Sequence, residues 1–233
     1  MQIPFALQAF QNSSLPISAQ DLCNAYAERE PPPPGGAKVP IAVKGCPGLT
    51  SFATVGDGPI RGFCFLGALV YVVSGSELYS LNESATATLL GGGITGLGPV
   101  SMAQNGTQVC VVNGVNGFIY SVAAGYTVIT DVDFFPANTV TFFDNYFVFD
   151  RANTAYVFLS GLLDGLAYNS LDTAAAEVQP QNVQATVNQQ ESLLVFSTGH
   201  TETWYDSGAV NFPFQRLDGG TIERGLVAPL ATV

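Results

Sequence analysis

Four stretches of the chain repeat one pattern: an apolar run, a polar turn, and a second run that carries an aromatic residue. They are LVYVVSGSELYSL (Leu69 to Leu81), VCVVNGVNGFIYSV (Val109 to Val122), YFVFDRANTAYVFLS (Tyr146 to Ser160) and LLVFSTGHTETWYD (Leu193 to Asp206). With Tyr79, Tyr120, Tyr156 and Trp204 taken as equivalent, the intervals are 41, 36 and 48 residues. Each stretch reads as a hairpin, turning at Ser74-Gly75-Ser76, at Asn113-Gly114 and Asn116-Gly117, at Asp150 to Asn153, and at Thr198-Gly199-His200. These residues tolerate the positive φ of tight turns. A further short strand is predicted upstream of each hairpin, over Ile60 to Phe65, Val100 to Met102, Val140 to Phe143 and Val183 to Val187. Tyr126 to Ile129 supplies an outer strand.

Three to four strands every forty-odd residues is the period of a β-propeller blade. Runs such as VYVV and YFVF are apolar on both faces, whereas a sheet with one wet face alternates. A blade packed between two neighbours needs both faces apolar. The fold class is therefore all-β and propeller-like, with about four antiparallel blades visible; a β-sandwich with the same turn spacing is the structural alternative. The period places the blades in 56–233 and leaves 1–55 as an N-terminal arm and linker. Within the arm, Ser18 to Glu30 is expected as a short helix or irregular segment. Pro31 to Pro34 followed by Gly35-Gly36 reads as a stiff piece ending in a flexible joint. Ile222 to Leu230 is expected to begin a further blade.

Charge narrows the function. Of the 233 residues only 11% are charged, with 7 Lys and Arg against 18 Asp and Glu and a net charge of -11. No cation lies between Arg61 and Arg151. A nucleic-acid binder needs clustered cations to displace counterions from phosphates, and no cluster exists here. So little charge suggests that much of the surface is covered by neighbouring subunits, the alternative being a Ser/Thr/Asn-rich surface on a monomer. Cys23, Cys46, Cys64 and Cys110 have no metal-ligand spacing, and Cys64 and Cys110 sit in apolar runs as buried free thiols. The N-terminus shows no secretion signal, and the longest apolar stretch, Phe63 to Val73, is too short to span a bilayer.

Candidate chemistry is sparse. Gly91-Gly92-Gly93-Ile94-Thr95-Gly96 satisfies the glycine spacing of a dinucleotide fingerprint, but Gly98-Pro99 and a strand follow it where a helix is required. It reads as an inter-blade loop. His200, the single histidine, has Ser192, Ser197, Glu202 and Asp206 nearby in sequence, but a triad is a matter of spatial geometry. On a hairpin turn it reads as solvated or at an interface. Asp131-Val132-Asp133 with Asp144 lacks the other oxygen ligands and the glycine of a calcium loop. Trp204 and Tyr205, with Phe212 and Phe214, form the densest aromatic cluster, expected to pack between blades. A carbohydrate-stacking platform is the functional alternative, and with it a glycan- or receptor-binding module. A propeller hydrolase needs acids and cations gathered at the axis, which the sequence does not display. No catalytic residue, cofactor or metal is expected.

The segment HTETWYDSGAVNFPFQRLDGGTIERGLVAP (His200 to Pro229) resembles a stretch typical of the packaged-DNA stabilisation proteins of short-tailed bacteriophages, also called tail accessory factors, tail hubs or nozzles. NAYAE (Asn24 to Glu28), KGCPGLTSFATVGDGPIRGF (Lys44 to Phe63), SGSELYSL (Ser74 to Leu81), VSMAQNGTQVCVVNG (Val100 to Gly114) and FFDNYFVF (Phe142 to Phe149) match in the same order. The resemblance implies a six-bladed propeller subunit in a homohexameric ring below the portal and its adaptor ring. Such a ring forms the tube through which DNA leaves, without binding it specifically. It holds a tail needle or plug and often tailspikes or fibres, and retains the packaged genome until ejection. No catalysis and no membrane are implied; the protein would be made in the host cytoplasm and reside in the virion tail. Family members continue beyond this length, so either the chain is a fragment or a shorter protein has an incomplete or four-bladed ring. Asp131, Asp133, Asp144 and Asp150, in the stretch poor in cations, are the candidate channel-facing acids.

Overall fold

The computed structural model describes residues 10–11, 19–20, 24–29, 41–179, 181–209 and 212–231. Two compact units divide the chain, Met1–Phe52 and Ala53–Val233. In the first, β1 (Phe10–Gln11) pairs antiparallel with β2 (Ala19–Gln20), and β3 (Ala25–Arg29) with β4 (Ile41–Gly45). Glu28 and Lys44 form an ion pair across the second hairpin. The expected helix or irregular segment around Ser18 to Glu30 thus contains a strand. An isolated helix of that length is marginal in water, whereas β3 gains a full ladder from β4, from Ala25↔Gly45 to Arg29↔Ile41. The Pro31 to Gly36 segment lies outside the described residues.

In the second unit the strands form four antiparallel sheets of four, each in sequential order. Blade 1 comprises β5 (Ile60–Leu66), β6 (Leu69–Ser74), β7 (Glu77–Leu81) and β8 (Ala87–Gly92). Blade 2 comprises β9 (Ser101–Gln104), β10 (Gln108–Val112), β11 (Gly117–Ser121) and β12 (Gly125–Val128). Blade 3 holds β13 (Val140–Phe143), β14 (Tyr146–Asp150), β15 (Tyr156–Gly161) and β16 (Asp164–Ala175). Blade 4 holds β17 (Val183–Gln189), β18 (Ser192–Ser197), β19 (Thr201–Asp206) and β20 (Phe214–Ile222). The first strands of successive blades lie side by side, β5 against β9, β9 against β13 and β13 against β17. This is the sheet arrangement of a β-propeller.

The doubly apolar runs are explained by where alternate residues go. On β10, Val109 and Val111 pack toward blade 1 beside Tyr71, Val73 and Leu78. Their neighbours Cys110 and Val112 pack toward blade 3 beside Phe147, Phe149 and Phe158. On β14 the same split sends Phe147 and Phe149 one way and Val148 the other, onto Leu193, Val195 and Trp204 of blade 4. Period-2 geometry sends successive side chains to opposite faces, so a strand between two blades needs apolar residues at both parities.

Tyr79, Tyr120, Tyr156 and Trp204 all fall on the third strand of their blade, β7, β11, β15 and β19. Burial differs along the series: Trp204 is 2% exposed and Tyr156, at the first position of β15, is 45% exposed. The two-residue turn between β13 and β14 places Asp144 at φ 45° and Asn145 at φ 69°. Both lie in the left-handed region that Asp and Asn tolerate best among non-glycine residues. At Gly91 a Cβ would overlap the ring of Tyr126, which reaches across from blade 2.

In the second unit one element differs from expectation. Ile222 to Leu230 does not begin a further blade: β20 ends at Ile222, and no strand is formed over 223–231. The strand is instead Phe214–Ile222, the fourth of blade 4. Beyond it the chain turns back, Arg224 accepting from Thr201 Oγ1 at 2.6 Å and Leu226 donating its N–H to Ser197 at 2.9 Å.

Candidate functional site

The glycine-rich segment after β8 surrounds a cation. Arg61 on β5 is buried, and its guanidinium donates to four backbone carbonyls: Gly98 at 2.7 Å, Gly75 at 2.7 Å, Ile94 at 2.8 Å and Thr95 at 3.0 Å. A phosphate-binding loop presents N–H groups to its anion. This one turns carbonyls inward toward an arginine, which is the opposite polarity.

The four candidate acids do not form one site. Asp131 is half-buried in the linker after β12; its carboxylate accepts the N–H of Asp133 at 2.9 Å and that of Tyr168 on β16 at 3.3 Å. Asp133 lies half-buried beside it. Asp144 is exposed at the β13–β14 turn. Asp150, at the far end of β14, is fully buried, and accepts from Thr139 N–H at 2.5 Å, Thr139 Oγ1 at 2.9 Å and Asn138 Nδ2 at 2.8 Å. A carboxylate so enclosed faces no channel, and Asp150 leaves the set of channel-facing candidates. Burial raises its pKa above the ordinary carboxylate range, against the lowering effect of those hydrogen bonds.

Asp144 meets Asp206, from the end of β19, in an open cleft of about 520 Å³ lined also by Asn188, Gln190, Glu191 and Tyr205. The two carboxyls share a hydrogen bond, which raises the pKa of Asp144 and lowers that of Asp206. The N–H of Gly208 further favours the ionised form of Asp206, donating at 2.7 Å. Among the described residues no three His, Cys, Asp or Glu side chains gather as a metal site.

The aromatic cluster lies in the blade 3–blade 4 core. Trp204 and Phe214 are buried there, with Phe212 and Tyr146 packed against them. Trp204 donates from Nε1 to Glu202 Oε2 at 2.8 Å. It has no free face on which a sugar could stack. Tyr205, on the opposite face of β19, is 39% exposed.

His200 is not solvated, as a hairpin turn had suggested, but 0% exposed, 3.5 Å from Glu202. Among the cysteines, Cys46 is exposed, Cys64 half-buried and Cys110 buried, all free. Burial pushes the Cys64 thiol up to about 12 and the Cys110 thiol higher still, which disfavours the nucleophilic thiolate at both. The structural roles of Arg61 and Glu202 were not apparent from sequence. Arg61 contacts only backbone carbonyls, which have no residue signature; Glu202 could be found from the spacing of His200, Glu202 and Trp204 on one face of a strand.

A family model described as bacteriophage P22 Gp10, β-propeller, matches residues 38–233. A search of curated proteins finds no match. Among solved structures, the computationally designed Ika8 protein is similar with a TM-score of 0.50 and 12% identity, covering 72% of this chain and 51% of that one. The computationally designed Ika4 protein gives 0.49 and 12% over 67% of this chain and 98% of that one. PorZ, a surface component of the type-IX secretion system of Porphyromonas gingivalis, gives 0.48 and 13% over 70% and 23%. The chain thus spans about half the length of Ika8 and about a quarter of PorZ. The likeness to Ika8 is one of fold alone.

Proposed function

The chain belongs to the family described as bacteriophage P22 Gp10, β-propeller, and on that premise we propose that it is a ring-forming hub, or nozzle, of a short phage tail. Membership makes it a structural phage protein concerned with stabilising packaged DNA, a virion component; the family is not one of enzymes. The proposal adds a position below the portal-adaptor ring, a homohexameric ring, and a central channel through which DNA leaves. Tail needle or plug and tailspike are its further proposed neighbours, and the host cytoplasm its place of synthesis.

The observation that carries the conduit reading is the placement of cations. Within 53–233 the cations are Arg61, Arg151, Arg216 and Arg224. Arg61 is enclosed by carbonyls, and the Arg151 guanidinium lies 3.9 Å above the ring of Phe135. That leaves Arg216 and Arg224 exposed in a chain with a net charge of -11. A duplex passing such a surface finds few partners that release counterions, so it slides without being gripped. Asp131, Asp133 and Asp144 are proposed to face the lumen.

Electron microscopy of the purified chain tests this. Rings with a central channel are expected; a monodisperse monomer at micromolar concentration overturns the hub reading. A ring with Asp131, Asp133 and Asp144 on its outer surface would remove the lumen assignment and leave the hub intact.

A further inference from the structure

The single histidine has oxygens facing both ring nitrogens. His200 Nδ1 lies 3.4 Å from Gln181 Oε1, and Nε2 lies 3.5 Å from Glu202 Oε1. Gln181 Oε1 is an acceptor on independent grounds, because the N–H of Gly199 donates to it at 2.7 Å while Gln181 Nε2 turns to Gln179 Oε1 at 3.0 Å. Glu202, 1% exposed, accepts the N–H of Val178 on Oε1 at 2.9 Å and Trp204 Nε1–H on Oε2 at 2.8 Å. A neutral imidazole has one N–H and one lone pair. Either neutral tautomer therefore sets a lone pair against an oxygen. His200 Nε2 is indeed a buried atom without a hydrogen-bond partner. An imidazolium turns an N–H toward each oxygen and stands at ion-pair distance, 3.5 Å, from the Glu202 carboxylate.

The charges around the pair point the same way. On its own hairpin His200 faces Glu202. The linker between blades 3 and 4 contributes Glu177, and β20 contributes Arg216 and Asp218, which line the cleft beside Glu202 and Trp204. Arg224, beyond β20, offers its carbonyl to Thr201. Among the described residues the only cation paired with Glu202 is His200. A carboxylate buried without a countercharge is strongly unfavourable.

We propose that His200 is a proton-operated latch, which in its imidazolium form ties Gln181 of the inter-blade linker to Glu202 of β19 and on deprotonation lets the linker go. Glu202 holds the linker a second time through Val178, so His200 and Glu202 together fix where blade 4 joins blade 3. The latch therefore holds blade 4 to its linker while the imidazole is protonated and releases it when that proton is lost.

Long-range proton–nitrogen NMR correlation reads the protonation state directly, since one imidazole gives one set of signals. Both ring nitrogens of the full chain are expected to be protonated at neutral pH; a neutral imidazole with one bare nitrogen there overturns the latch. Thermal melting of wild type is expected to fall by about 3 °C between mildly acidic and mildly alkaline buffer, with that component absent in His200→Gln. An equal fall in both proteins overturns it. Should His200→Gln fail to fold, Glu202→Gln keeps the size of the side chain and removes the countercharge. It is expected to return the imidazole to its neutral form at neutral pH, and an imidazolium persisting in it overturns the proposal.

Discussion

Arg61 donates to the carbonyl of Ile94 at 2.8 Å, joining the first strand of blade 1 to the linker that leaves it. The same guanidinium takes in the β6–β7 turn at Gly75 and the linker again at Thr95 and Gly98. Arginine presents five donors in a fixed fork, which suits carbonyls arriving from three directions. Arg61→Ala leaves several buried carbonyls without a donor and is expected to cost about 3 kcal/mol, read as a lower midpoint in urea with an unchanged slope. Arg61→Lys, with a single ammonium, is expected to recover less than half of that. Equal stability of Arg61→Ala and wild type would show that water replaces the guanidinium at no cost.

Legibility in the sequence followed burial. The second strands of blades 1, 2 and 3 (β6, β10 and β14) are apolar at both parities because each is covered on both sides, and Ser74-Gly75-Ser76 or Asn113-Gly114 mark where they turn. Outer strands gave a weaker signal, read at Tyr126 to Ile129 but not at β16 or β20. The residues of β16 are exposed or half-buried at all but one position, those of β20 are largely exposed, and β20 carries Arg216, Asp218 and Gly219-Gly220. A register shift between Glu202 and Trp204 breaks the alternation further. The acids were the least legible, because a charged side chain reads the same in sequence whether it meets solvent, as Asp144 does, or three buried donors, as Asp150 does.

The raised pKa of Asp150 has a definite consequence for acid stability. A carboxyl with a folded-state pKa above its unfolded value binds its proton more tightly when folded. Its contribution to stability therefore grows as the pH falls through the folded-state titration toward the ordinary carboxylate range. Asp150→Asn abolishes this titration. Urea melts at neutral pH and at about pH 4 are expected to shift the difference between the two proteins toward wild type on acidification. Asp150→Ala strands the donors of Thr139 and Asn138 and is expected to cost about 2 kcal/mol at neutral pH and more at about pH 4. A wild type that loses ground to Asp150→Asn in acid would mean that the hydrogen bonds outweigh burial.

Asp144 and Asp206 repel each other once both are ionised, across the junction of blades 3 and 4. The pKa of Asp144 is raised, first by its hydrogen bond to Asp206, so the pair is best satisfied with one proton between them. As the pH rises through that titration the proton is lost and the contact weakens. Asp144→Asn keeps a donor there at every pH. It is expected to melt slightly above wild type at neutral pH, with the gap closing on acidification and shrinking in high salt, because both groups are largely exposed. A gap that ignores pH and salt would assign the gain to the turn instead.

Trp204 separates a packing role from a recognition role more sharply than any other residue. Its ring is 2% exposed between blades 3 and 4, edge-on to Phe212 at 5.8 Å, and its Nε1 proton is taken by Glu202. Trp204→Ala opens a cavity in that core and removes a donor from a buried carboxylate, for an expected cost of about 3–5 kcal/mol. Trp204→Phe fills much of the cavity but still leaves Glu202 Oε2 without its partner, so it is expected to fall between the two. Glycan binding gives the contrary outcome. A Trp204→Ala protein with the melting temperature of wild type and a lost affinity for surface polysaccharide would place the indole in a recognition site. Graded destabilisation from Trp to Phe to Ala, with no glycan bound by any of the three, is what a residue clamped between two blades must show.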